Sequence, residues 1–322
     1  MAYGSRLVVR SQRNVLCFPG RRSDNMEHVL VQKKKIGMSY EKAIELIFAF
    51  SASLMVISVV LISVYIFIAG VPPILEIGIS NFIFGTQWTP TYTEPQFGIL
   101  PMILASVLGM LGAIIIGVPI GILTAVMLAE IAPKKITGLL KAAIELLAGI
   151  PSVVYGFFGL TVIVPFIRVH FGSPTGTGLL AMIIILSVMV LPTIVNISET
   201  SLRALPREYK EGSLALGASK IETIFKVMIP AAKSGIMSSV VLGMGRAVGE
   251  TMAVIMVCGN IPRMPNSLIS TVSPMTATIA KDMSYAGPFH QSALFGIGVV
   301  LFIFIIMLNL ALNLLVRKTS KK

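Results

Sequence analysis

Two ionised residues in a stretch of otherwise apolar and small residues are the clearest candidates for chemistry in this sequence. Arg246 and Glu250 sit in Gly243-Met-Gly-Arg-Ala-Val-Gly-Glu-Thr-Met-Ala-Val254. Four residues apart on a helix, they share a face and can pair. A guanidinium in a nonpolar layer costs at least about 2.5–3.5 kcal/mol on insertion scales, so it is expected to face a partner or a wet path. Two roles fit. One is an internal salt bridge that locks helices together. The other is an anion station, in which Arg246 replaces part of an oxyanion's lost hydration with paired hydrogen bonds. Glu250 would then hold Arg246 while the site is empty and keep the anion from binding too tightly. Gly245 and Gly249, with Gly243, keep this surface slim enough for another backbone or a substrate to approach.

A second segment is patterned for recognition. Residues 199–233 are the least apolar interior stretch. Arg207 to Gly217 predicts a short helix that starts after Pro206 and stops at the glycine. Ser219-Lys-Ile-Glu222 predicts a capping box for a second helix. Ile221, Ile224, Phe225 and Met228 follow the spacing of one helical face, and Pro230 is expected to end it. Two short helices turned about a glycine form a knob that another protein can grip. Glu199 and Arg203, also four apart, are expected to brace it.

Other chemistry is not indicated. The sequence holds no Gly-x-x-x-x-Gly-Lys-[Ser/Thr] phosphate loop, so the chain is not expected to hydrolyse ATP, and no catalytic residue is assigned. Cys17 and Cys258 make no disulfide framework, and His28, His170 and His290 are scattered, so neither a metal nor a cofactor is expected.

The elements that position these residues are membrane helices. Of 322 residues, 55% are hydrophobic and 12% charged, against roughly a quarter charged in soluble domains. No charge falls between Glu45 and Glu76, Glu94 and Glu130, Glu145 and Arg168, His170 and Glu199, or His290 and Arg317. Each gap exceeds the roughly 18 apolar residues that mark a spanning candidate. The expected fold class is an all-α integral membrane protein with about six transmembrane helices, over about 44–69, 98–129, 140–167, 178–198, 234–258 and 292–316. Pro101 and the Gly117–Gly121 segment suggest a tilt or bend in the second span, and Pro151 and Pro192 sit inside the third and fourth.

Basic residues set the orientation. The tail through Lys42 holds nine Lys and Arg, the segment after the second span three, the 199–233 loop six and the C-terminus four. The opposite side holds Arg168, Arg263 and Lys281, and Arg246 lies within a span. Both termini are therefore expected to be cytoplasmic. Topology and contact with anionic lipid account for the net charge of +12 without a nucleic-acid partner. Residues 1–41 read as a basic cytoplasmic tail, and residues 42–322 as the transmembrane domain. Nothing in the first 40 residues reads as a cleavable signal peptide.

The loop resembles the EAA motif of ABC-importer permeases: Glu-Ala-Ala, three residues, Gly, nine residues, Ile-x-Leu-Pro. Glu211, Gly217 and Pro230 fall on that pattern, with Val227 and Ile229 at its aliphatic positions and Gly212-Ser213 in place of Ala-Ala. Three further segments, Phe97-Gly-Ile-Leu-Pro101, Glu145-Leu-Leu-Ala-Gly-Ile-Pro-Ser-Val-Val-Tyr-Gly156 and Gly245 through Asn260, resemble the phosphate permeases of the PstC family.

The resemblance covers about residues 42–316 and implies a type I ABC-importer permease fold in a prokaryotic inner membrane. It implies that this chain forms half of a phosphate path working by alternating access, and that Glu211 through Pro230 dock into an ATPase. The implied partners are a PstA-like second permease subunit, a PstB-like ATPase dimer that hydrolyses the ATP, and a PstS-like external phosphate-binding protein received by loops 71–97, 168–177 and 259–291. The alternatives are a PstA-type role or another oxyanion. More distant ones are a transporter or channel driven by an ion gradient, or a membrane-embedded enzyme. The former would be expected to show internal repeats, the latter clustered catalytic groups.

Overall fold

The computed structural model describes residues 24–320, with the side chains of residues 24–39, 41, 134 and 315–320 left aside. Residues 1–23 of the expected tail lie outside the described residues. The chain divides into two units, Met1–Ser63 and Val64–Lys322. Within the first, the described part is the beginning of helix α1 (Asp24–Ile77), which starts inside the segment expected as tail. Its apolar side chains between residues 42 and 62 are exposed, as suits a helix that faces lipid.

In the second unit α1 ends and is followed by a short helix α2 (Ile79–Phe84) and a hairpin of β1 (Trp88–Thr89) and β2 (Gln96–Phe97), paired Trp88 to Phe97. Then come α3 (Leu100–Ile131), α4 (Lys134–Gly149), α5 (Ser152–His170) and α6 (Leu179–Arg203). The loop region carries α7 (Arg207–Ala215) and α8 (Lys220–Ala231), followed by α9 (Lys233–Gly249) and α10 (Met252–Val257). The last helices are α11 (Met275–Asp282) and α12 (Pro288–Ser320). Among the described residues, five helices are long and apolar enough to cross a membrane, or six if the bent pair α8–α9 counts as one span.

The core is organised around α3 against α6. Ala105, Gly109, Ala113, Gly117, Gly121 and Ala125 recur every fourth residue along α3, and all are buried. A stripe of small residues lets two helices approach closely where there is no hydrophobic effect to drive them together. A Cβ on Gly121 would lie 2.6 Å from Ile194 Cγ2 of α6, so a larger residue there must displace that helix. The Gly117–Gly121 segment, where a tilt or bend is expected, packs within an unbroken helix. Pro192 likewise sits inside a continuous α6.

Two expected spans are interrupted. The third, read as 140–167, breaks at Ile150-Pro151, where Ile150 turns to extended geometry (φ −67°, ψ 127°). Proline has no N–H and its ring disfavours helix at the residue before it. The spanning helix begins at Ser152, and the preceding α4 is a separate amphipathic helix. The fifth, read as 234–258, breaks at Glu250. Breaks of this kind are tolerated at membrane depth where protein or a cavity surrounds the freed backbone.

A second core joins the hairpin to the last helices. Phe82, Trp88, Phe97, Ile99, Met102, Met275 and Leu294 pack together. Asp282, 7% exposed, organises its polar edge. Trp88 Nε1 donates to Asp282 Oδ2 (3.3 Å), the Tyr285 hydroxyl donates to Oδ1, and Lys281 Nζ and His290 Nε2 each lie 3.7 Å from the carboxylate. Lost hydration and the adjacent Asp282 push the Tyr285 phenol up to about 12. Asp282→Ala leaves the Trp88 and Tyr285 donors without their acceptor, and is expected to cost about 2–3 kcal/mol. A drop in the unfolding midpoint of the detergent-solubilised protein, smaller for Asp282→Asn, checks this.

Candidate functional site

The helix α9 has two unlike faces. Ile236, Ser239, Gly243 and Ala247 are buried against α3 and α6, where the Ser239 and Ser198 hydroxyls meet at 2.9 Å. A Cβ on Gly243 would stand 3.2 Å from Ile194. The opposite stripe, Ser234, Ser238, Leu242, Arg246 and Gly249, is exposed, with Gly245 half-buried beside it. Nothing lies within 4 Å of where a Cβ on Gly245 or Gly249 would project. Arg246 thus stands on a helix face that the rest of the described chain leaves uncovered, flanked by two glycines that leave space around it.

The expected pairing of Arg246 with Glu250 does not form. The helix stops at Gly249, and Glu250 has extended geometry (φ −70°, ψ 132°), which removes it from the shared face. Its Oε1 instead accepts the backbone N–H groups of Thr251 (3.1 Å) and Ala253 (3.3 Å) at the start of α10. A carboxylate is favoured there because the first N–H groups of a helix lack partners within it. Thr276 Oγ1 fastens the break by donating to Glu250 O at 2.9 Å. Among the described residues, no acidic side chain makes an ion pair with Arg246. Beside Glu250 lies a cleft of about 10 Å³, bordered by Ser106, Val248 and Thr276, space for about one water.

The two interrupted spans meet just beyond their breaks. A Cβ on Gly156 of α5 would lie 2.9 Å from Ala253 Cα of α10, so the two backbones are in direct contact. Tyr155 is 6% exposed, and its hydroxyl donates to Leu147 O at 2.6 Å. Tyr155 lies within the Gly-Ile-Pro-Ser-Val-Val-Tyr-Gly segment, but sequence reasoning gave it no role. A tyrosine in an apolar run needs a partner for its hydroxyl, and that was the available signal.

The 199–233 loop forms the expected turn and cap. Gly217 adopts φ +87°, a left-handed conformation that glycine reaches without strain. Ser219 Oγ accepts the Glu222 N–H, and the Glu222 carboxylate accepts the Ser219 N–H, completing the capping box. Hydrogen bonds from Ser219 and from Lys226 hold the Glu222 carboxyl down at about 2.

The predicted apolar face is divided. Ile224 and Met228 are buried at 2% and 4%, whereas Ile221 and Phe225 are exposed. The helix passes Pro230 to Ala231 before a 70° bend into α9. Glu211 and Pro230 are exposed, and Val227 and Ile229 are half-buried. Glu199, buried at 3%, accepts from Arg203 Nε (2.8 Å), while Arg203 Nη2 donates to Leu128 O (2.7 Å), tying α6 to the end of α3. Lys210 of α7 pairs with Glu130 of α3.

Known proteins are similar to this chain. The family described as binding-protein-dependent transport system inner membrane component matches residues 117–321, which contain both the loop and Arg246. A probable ABC transporter permease, YqgH of Bacillus subtilis, is 39% identical over 299 residues, covering 89% of this chain and 97% of that protein. Two phosphate transport system permease proteins named PstC are similar as well. That of Mesorhizobium japonicum is 37% identical, with 69% of this chain and 74% of that protein covered. That of Haemophilus influenzae is 33% identical, with 75% and 82% covered. Among solved structures, an inward-facing MetNI methionine ABC transporter superposes with a TM-score of 0.54 at 24% identity, covering 69% of this chain and 94% of that one. This likeness is one of fold, that of the type I importer permeases.

Proposed function

The chain belongs to the family of binding-protein-dependent transport system inner membrane components, and from that premise we propose that it forms half of the path of an ATP-driven importer of inorganic phosphate. Membership makes it a multi-pass membrane transport component that works with an ATPase and a binding protein. The phosphate reading draws on its PstC relatives and on one observation above all: Arg246 stands on the open face of α9 with no acidic partner among the described residues. A guanidinium so placed can take two oxyanion oxygens at once. With Glu250 occupied by the backbone of α10, an arriving anion does not have to displace it from Arg246.

The second wall of the path is supplied by a PstA-like sister subunit facing the same stripe. A pair of PstB-like ATPases grips the 207–230 knobs, and a PstS-like protein delivers phosphate from outside. ATP binding draws the knobs together and opens the path outward, and phosphate passes to Arg246. Hydrolysis lets the knobs part and opens the path inward. Both termini lie in the cytoplasm, on the side of the basic loops.

The test is uptake of labelled phosphate into proteoliposomes that hold this chain, its sister subunit and the ATPases, with the binding protein outside. Uptake that needs internal ATP is the expected result. Uptake without ATP overturns the mechanism, and uptake of another oxyanion in place of phosphate overturns the substrate.

A further inference from the structure

The coupling loop and Arg246 are in different parts of the molecule, and α4 reaches from one towards the other. At one end, Ile144 of α4 shares a buried cluster with Ile224 and Met228 of α8 and with Val195 and Leu202 of α6, and Leu140 packs against it. Lys141 Nζ lies 3.9 Å from Glu199 Oε2, the carboxylate that also binds Arg203. At the other end, the carbonyl of Leu147 is one of the last four of a helix and has no partner within it. The Tyr155 hydroxyl supplies that partner across the break at Pro151, at 2.6 Å. Tyr155 belongs to α5, whose next residue, Gly156, touches the backbone of α10 at Ala253. Glu250 caps α10 and directly follows the helix that bears Arg246.

We infer that α4 is the lever that carries movement of the coupling loop to the substrate path, and that the Tyr155 hydroxyl is the clasp that makes α4 and α5 move as one bent body. The physical reason is the break itself. An unclasped Ile150-Pro151 joint has no helical hydrogen bond across it and can flex, so a displacement of α4 would be absorbed there. An apolar cleft of about 280 Å³ beside the joint, bordered by Ile150, Val154 and Ile185, leaves room for such flexing. The clasp converts the joint into a fixed elbow. Tyr155 is a positioning residue: it acts on the path through α5 and α10, and the inference rests on the reading of the chain as an ATP-driven phosphate permease.

Tyr155→Phe keeps the buried ring and removes the hydrogen bond. In the assembled transporter reconstituted in proteoliposomes, the phosphate taken up per ATP hydrolysed is expected to fall about tenfold, the equivalent of one lost buried hydrogen bond. Complex assembly and ATP hydrolysis are expected to remain. A merely structural role would lower uptake and hydrolysis together, and an unchanged ratio overturns the clasp.

A second measurement does not depend on the substrate. Spin labels are placed at Leu146 and Val153, both exposed, in a chain freed of its cysteines. With Tyr155 present, their separation is expected to stay the same with and without ATP, and to change in Tyr155→Phe. A separation that changes with ATP while Tyr155 is intact overturns the lever, whatever the transported ion. Loss of ATP dependence or of phosphate uptake in the unmodified protein would overturn the importer reading and is seen separately.

Discussion

Arg246→Ala is expected to reduce ATP-dependent phosphate uptake by at least about a hundredfold, from the loss of two charge-assisted hydrogen bonds to the passing anion. Its assembly with partner subunits should be unchanged. The exposed position of Arg246 and its lack of an acidic partner among the described residues are what separate this outcome from a folding defect. A residue that locked helices together would be buried and paired, and its removal would lower the yield of assembled complex. Arg246→Lys retains the charge and loses the planar fork, so it should fall between the two proteins, nearer to alanine if two-oxygen recognition matters most. Labelled uptake normalised to assembled complex measures all three. Full uptake by the alanine variant rules out the anion station.

Gly217→Val is expected to weaken association with the ATPase and lower uptake about tenfold. Nothing lies within 4 Å of the Cβ that valine would add, so the effect does not come from a clash. It comes from φ +87°, which a β-branched residue adopts only at a cost of about 1–3 kcal/mol. Relieving that strain is expected to rotate α7 against α8 and so to misplace the exposed Glu211, Leu214, Ile221 and Phe225 relative to one another. Gly217→Asn, which tolerates left-handed geometry, should retain most of the function. Co-purification of the ATPase and uptake are the two readouts. If both are unchanged in the valine variant, the loop is not the coupling element.

Local chemistry made much of the 199–233 loop legible in the sequence. The capping box at Ser219 and Glu222 and the turn at Gly217 involve residues within three positions of each other, and both form as read. The apolar face of α8 was read only in part. Periodicity marks Ile221, Ile224, Phe225 and Met228 as one face, but only the packing of α4 and α6 selects Ile224 and Met228 for burial. The Glu199–Arg203 pair follows from a spacing of four on an unbroken helix. The same spacing misled at Arg246 and Glu250, because it holds only while the helix continues, and here it stops at Gly249. The Asp282 cluster was not legible, since Trp88 and Asp282 are 194 residues apart.

The sequence by itself determined the membrane class, the approximate number of spans, and the turn and cap of the 199–233 loop. These depend on composition, charge and short-range hydrogen bonding, which any stretch of chain carries with it. The tertiary structure alone decided where the third and fifth spans break, that the broken helices touch at Gly156 and Ala253, and that Glu250 bonds the backbone of α10 instead of Arg246. A break is stable only if other elements satisfy the backbone it exposes. Here those are Thr276 on Glu250 O and Tyr155 on Leu147 O, partners 26 and 8 residues away that no local pattern could identify.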